Sequence, residues 1–110
     1  MIVGTTIYKM DGTAYLSPDF GRGGLAATFA VDVTQISGTP SVTITVQTRN
    51  SEDTTYSDLG SFTAITAAGA SQLDVTGLEE IVRFKYEFDV GDVAADGIHF
   101  LMQAPSWRPY

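Results

Sequence analysis

The sequence predicts an all-β fold, an antiparallel β-sandwich of about eight strands with a jelly-roll-like arrangement. Three observations predict it. Apolar and polar residues alternate with a period of two in several segments, as strands with one buried face require. Turn residues punctuate the chain at short, regular intervals. No segment of helical period is long enough to cross between parallel neighbours.

Taken in order, Ile7–Met10 and Thr13–Leu16 flank Asp11-Gly12, a strong cue for a two-residue hairpin. Phe20-Gly21-Arg22-Gly23-Gly24 reads as a flexible glycine-rich stretch. Phe29, Val31 and Val33 alternate with Thr28, Ala30, Asp32 and Thr34, and Ser37-Gly38-Thr39-Pro40 is expected to turn this strand into a second hairpin with the next. There Val42, Ile44 and Val46 point one way, and Thr43, Thr45 and Gln47 the other. A polar loop, Asn50–Asp58, leads to shorter strands at Leu59–Thr66 and Gln72–Val75, joined by the small residues Ala67–Ser71.

Leu78–Ile81 has room for one helical turn at most. Val82, Phe84, Tyr86, Phe88 and Val90 then alternate with Arg83, Lys85, Glu87 and Asp89, so this strand has a core face and a charged face. Ile98, Phe100 and Met102 follow Asp96-Gly97, and a third hairpin is expected across Gly91–Gly97. The tail Ala104-Pro105-Ser106-Trp107-Arg108-Pro109-Tyr110 carries two prolines, which argue against regular strand pairing. Its Trp and Tyr either fold back on the domain or dock on a partner. The chain reads as a single domain, 1–110, with 1–24 an N-terminal arm or hairpin and 104–110 a C-terminal arm.

At 110 residues the chain buries roughly two thirds of its unfolded surface. With no cysteine, disulfides and thiolate metal sites are excluded. Thirteen acidic against six basic residues give a net charge of −7, which repels phosphate backbones and anionic membranes, so direct nucleic-acid and membrane partners are not expected. Only 17% of residues are charged while Thr, Ser, Gly and Ala abound, a composition suited to flat sheet faces packing against protein. No signal-peptide pattern or membrane-length apolar run is read, and synthesis in the host cytoplasm is expected.

Chemistry finds little footing. The one histidine, His99, lies among strand residues, where a sheet position is the ordinary role. No G-x-S-x-G elbow presents a serine. One His without Cys cannot supply a zinc site. Asn50, Glu52, Asp53 and Asp58 crowd one loop and Asp89, Asp92 and Asp96 another, but neither has EF-hand spacing, and solvated acidic loops are the expectation. A single Arg22-Gly23-Gly24 reads as a turn, not as an RNA-binding array. No catalytic residue, cofactor or metal is expected.

Val46-Gln47-Thr48-Arg49-Asn50-Ser51-Glu52-Asp53, Leu59-Gly60-Ser61-Phe62, Val82-Arg83-Phe84-Lys85-Tyr86 and Ala104-Pro105-Ser106-Trp107 resemble small virion proteins of tailed bacteriophages, most of all capsid decoration or cement proteins. The resemblance spans about Leu25 to Trp107, and the first 24 residues lie outside it. It implies a non-enzymatic domain on the capsid exterior, bound to the major capsid protein, often as a homotrimer over symmetry axes, stabilising the shell. On this reading Phe20, Arg22, Trp107, Arg108 and Tyr110 are the expected capsid or subunit contacts. The rival reading is a carbohydrate-binding or host-adhesion module, with Tyr15, Tyr56, Trp107 and Tyr110 as sugar-stacking platforms.

Overall fold

The computed structural model describes the backbone of residues 3–8 and residues 15–89, 96–103 and 105–109 in full. Among the described residues ten strand segments form: β1 (Val3–Tyr8), β2 (Tyr15–Leu16), β3 (Phe20–Gly21), β4 (Ala26–Ser37), β5 (Val42–Arg49), β6 (Ser57–Ser61), β7 (Gly69–Thr76), β8 (Ile81–Phe88), β9 (Gly97–Met102) and β10 (Ser106–Arg108). Every ladder is antiparallel.

One sheet runs β1-β9-β4-β7. Strand β10 continues the line of β9 along β4, because β7 occupies the opposite flank of the same residues. The other sheet runs β8-β5-β6, with β2 and β3 sharing the outer flank of β8. Ser17 extends β2 by exchanging hydrogen bonds with Phe84, its N–H donating at 2.9 Å and its Oγ accepting at 2.8 Å. Pro18, lacking an N–H, then interrupts the line before β3. The ten segments thus lie on eight lines, in the orders 1-8-3-6 and 2-7-4-5. That is the winding of a jelly roll, and it bears out the expected fold class.

The expected hairpins do not form. β4 and β5 lie in different sheets, as do β8 and β9, and as do β1 and β2. The 38–41 turn is therefore an arch between layers, and the strands flanking the other two expected hairpins lie in separate sheets. Residues 9–14 and 90–95, which hold Asp11-Gly12 and Gly91, lie outside the described residues. The one hairpin among the described residues is β5–β6, closed over the 50–56 loop. Arches prevail because both sheets have one apolar face, and switching layers at each turn stacks those faces together.

The shorter strands shift as well. β6 ends at Ser61, after which Phe62 and Ile65 turn into the core and Ile65 bridges Val42. Leu78 is buried and Ile81 already begins β8, so no helical turn forms. The tail corrects the expectation against pairing: Ser106, Trp107 and Arg108 pair with Thr28, Ala27 and Ala26. The two prolines flank these three residues, whose own N–H groups remain intact.

The core follows the alternation. Phe29, Val31 and Val33 of β4 and Ile98, Phe100 and Met102 of β9 face Val42, Ile44 and Val46 of β5 and Val82, Phe84 and Tyr86 of β8, all buried. Aromatic contacts join the layers: Phe29 meets Phe84 edge-on at 5.4 Å and Tyr86 meets Phe100 at 5.1 Å. Burial pushes the Tyr86 phenol up to about 12. An unfolded tyrosine ionises near 10, so between these values the folded state holds the proton more tightly. The associated stability is intact below pH 10 and is lost as pH rises through the folded value. We expect a loss of about 2–3 kcal/mol between pH 10 and 12. Alkaline denaturation of Tyr86→Phe should lack this component, and an unchanged profile would refute it.

Two crossovers are tied together at one end. Gly38 has φ +75°, and the buried Asp96 carboxylate accepts the Thr39 N–H at 3.3 Å. A Cβ on Gly38 would collide with Asp96 Oδ1. Gly77 has the same φ with open space around it. Gly77→Ala should therefore cost only the left-handed strain, about 1 kcal/mol, and Gly38→Ala about 2–3 kcal/mol as the Asp96 contact is displaced. Urea denaturation of the pair checks this, and equal losses would refute the latch.

Candidate interaction surface

At one end of the sandwich the chain leaving β3 runs past β10. The Arg22 N–H donates to the Glu80 carbonyl at 3.2 Å, and the Leu25 carbonyl accepts the Leu78 N–H at 3.0 Å. These bonds hold residues 22–25 as a fixed rim. A Cβ on Gly23 would lie 2.7 Å from the Trp107 indole, and one on Gly24 would strike the Arg108 backbone. The Gly-Gly pair read as a flexible turn is thus a seat for the tail, needed for close approach and not for mobility.

Trp107 folds back on the domain. Its ring meets Phe20 at 6.4 Å and Phe29 at 6.2 Å, both edge-on, and it remains half-buried. Phe20 is half-buried as well and continues the cluster to Phe84 at 5.6 Å. Arg108 Nη1 donates to Thr28 Oγ1 at 2.7 Å, with Asp74 Oδ1 farther off at 3.9 Å. Arg22 Nη1 donates to the Leu78 carbonyl at 2.5 Å. Between these groups lies an open depression of about 500 Å³ lined by Arg22, Gly23, Gly24, Leu25, Trp107, Arg108 and Pro109.

The structure therefore brings together Phe20, Arg22, Trp107 and Arg108 from opposite ends of the sequence, and Tyr110 lies outside the described residues. Leu25, 47% exposed, was missed. By parity with Ala27 and Phe29 it reads as core, but β4 begins only at Ala26, leaving Leu25 on the rim.

The other candidates are engaged elsewhere. Tyr56 has Arg83 stacked 3.6 Å from its ring centre and Arg49 at 5.2 Å. Beside the Tyr56 hydroxyl, Arg49 holds its proton more firmly than usual. Its Nη1 caps the loop by donating to the Asp53 carbonyl at 2.7 Å. Tyr15 is half-buried, edge-on to Phe88 at 6.4 Å.

Several acids at this end are committed too. Gln47 donates to Asp58 at 2.7 Å, and Asn50 donates to Glu79 at 2.6 Å. The Ser51 N–H and hydroxyl hold the Glu80 carboxyl below the usual carboxylate range. Asp89 sits exposed at the end of β8, Asp96 is turned inward to Thr39, and Asp92 lies outside the described residues. Among the described residues no three His, Cys, Asp or Glu side chains converge as metal ligands would. His99 is exposed, paired in the ladder with Thr6 and Gln35. No helix among the described residues is long and apolar enough to cross a membrane.

Comparison of the chain with family models, with curated proteins and with solved structures finds no match.

Proposed function

We propose that this chain is a non-enzymatic virion structural protein of a tailed bacteriophage, binding the outside of the capsid as a decoration protein through the surface around Arg22, Leu25, Trp107 and Arg108. The observation that carries the reading is the convergence of Arg22, Trp107 and Arg108 on one open depression with an exposed leucine on its rim, Phe20 packing edge-on against Trp107. Tryptophan and arginine around an apolar centre are the residues that dominate protein–protein binding energy. The major capsid protein as partner, trimeric assembly and residence on the capsid exterior come with the resemblance and belong to the proposal.

The glycan-binding alternative finds less support. A stacking platform needs an open aromatic face, whereas one face of Tyr56 carries Arg83, Gly23 lies against the Trp107 indole and Tyr15 leans on Phe88.

The test is add-back of purified protein to capsids assembled without it, read by co-sedimentation and by shell survival on heating. Saturable binding that raises the survival temperature is expected, and light scattering should report a trimer free or on the shell. Failure to co-sediment, together with a Trp107 fluorescence response to glycans, would overturn the reading in favour of the adhesion module.

A further inference from the structure

Resting on that reading, we infer that the partner segment received by this surface is an acidic peptide carrying an aliphatic side chain. Its carboxylates pair with Arg22 and Arg108 while the aliphatic group packs on Leu25 and the open part of Trp107.

Charge is the first argument. The chain carries −7 overall with six cations; because Arg22 and Arg108 contribute +2, everything else sums to −9. An anionic partner is therefore repelled by the rest of the molecule and drawn to this end, which orients docking. The second argument is unspent hydrogen-bonding capacity. Each guanidinium uses Nη1 on the domain itself, at Leu78 O for Arg22 and at Thr28 Oγ1 for Arg108, and Nε and Nη2 have no hydrogen-bond partner among the described residues. Arginine pairs carboxylates with two donors at once, and anchoring through Nη1 lowers the entropy cost of holding the fork in place. Among the described residues the one carboxylate within 4 Å of either group is Asp74, 3.9 Å from Arg108 and itself 74% exposed, while Glu80 interacts with Arg22 at longer range.

Shape and apolar character complete the case. Leu25, Trp107 and Pro109 line the same depression of about 500 Å³, a volume that suits a few side chains of a peptide and not a nucleic-acid duplex. A bare phosphate chain would satisfy the arginines and leave Leu25 uncovered.

The test has two arms and one double variant, Arg22→Glu/Arg108→Glu, with Leu25→Asn as a second variant whose exposed site does not threaten folding. In the first arm Trp107, the one tryptophan of the chain, reports titration with a soluble glutamate–leucine copolymer. We expect its emission to shift at low salt, with affinity falling about tenfold by about 0.5 M salt. The double variant should show no response, and Leu25→Asn about a tenfold weaker one. No shift, an equal response from the double variant, or tighter binding of duplex DNA would overturn the inference. In the second arm the same proteins are added to capsids. If the double variant binds shells as well as the unaltered protein does, the acidic-peptide inference fails, and the decoration reading stands without these arginines as its contacts. If the unaltered protein binds the copolymer and not the shells, the decoration reading fails and the acidic-peptide site stands.

Discussion

Phe84→Ala is expected to cost about 3–5 kcal/mol, a large part of the 5–15 kcal/mol that holds a domain of this size together. Phe84 is buried at the centre of β8, and its ring touches three others: Phe29 across the sandwich at 5.4 Å, Phe20 at 5.6 Å and Tyr86 at 6.4 Å. Truncation removes the transfer energy of the ring and leaves a cavity that three large neighbours cannot all fill. Because Phe20 also supports Trp107, the damage reaches the interaction surface, and Trp107 emission should shift to the red in the folded variant. Phe84→Leu, which keeps most of the volume, should lose about 1–2 kcal/mol. Urea denaturation measures both. A loss below about 1 kcal/mol for the alanine variant would mean that the layers are joined elsewhere.

Thr48→Val is expected to cost about 2–3 kcal/mol although it preserves shape. Thr48 is 1% exposed at the end of β5. Its hydroxyl donates to the Ile81 carbonyl at 2.9 Å and accepts the Glu79 N–H at 2.9 Å. Valine leaves the Glu79 N–H unpaired and removes one of the bonds to the Ile81 carbonyl, which also faces Arg49 in the ladder, and it is the unpaired group that is costly. The same crossover is held from the other side by Asn50 on Glu79 and Ser51 on Glu80, so its backbone should loosen as a unit. Hydrogen exchange at the Glu79 amide should accelerate in Thr48→Val and stay slow in Thr48→Ser, which keeps the hydroxyl. Unchanged exchange in the valine variant would show that the hydroxyl is not the clasp. The Ser51 bonds to Glu80 stabilise its charged form, so their contribution is present above the ordinary carboxylate range and fades as pH falls through the lowered folded value.

Much of the core was legible in advance. The apolar faces of β5 and β8 were read residue for residue, since a period of two assigns each side chain to a face without reference to any other strand. The polar face of β5 was less so. Thr45 and Gln47 were read as pointing away from the core, yet both are buried, because Ser61 bonds Thr45 at 2.9 Å and Arg83, stacked on Tyr56, bonds Gln47 at 2.9 Å. A charged side chain lying flat across a sheet covers its neighbours with its stem, and composition gives no sign of that.

The interaction surface was half legible. Phe20, Arg22, Trp107 and Arg108 were singled out because they lie in the glycine-rich stretch and the proline-bearing tail, the segments expected to make contacts on the decoration-protein reading. Their meeting was not legible, because about eighty residues separate Arg22 from Trp107 and only the pairing of β10 with β4 closes that gap. Leu25 was hidden by its own parity.

By itself the sequence determined that this protein is all β, that its strands have one apolar face and that those faces close into a sandwich, because alternation and turn chemistry act within a few residues. Tertiary structure decided which strand lies beside which, placed the strands of the expected hairpins in different sheets and seated the tail on Gly23. Strand pairing is made by backbone groups that every residue carries, so the choice of partner rests on the burial of whole faces and is written in no single segment.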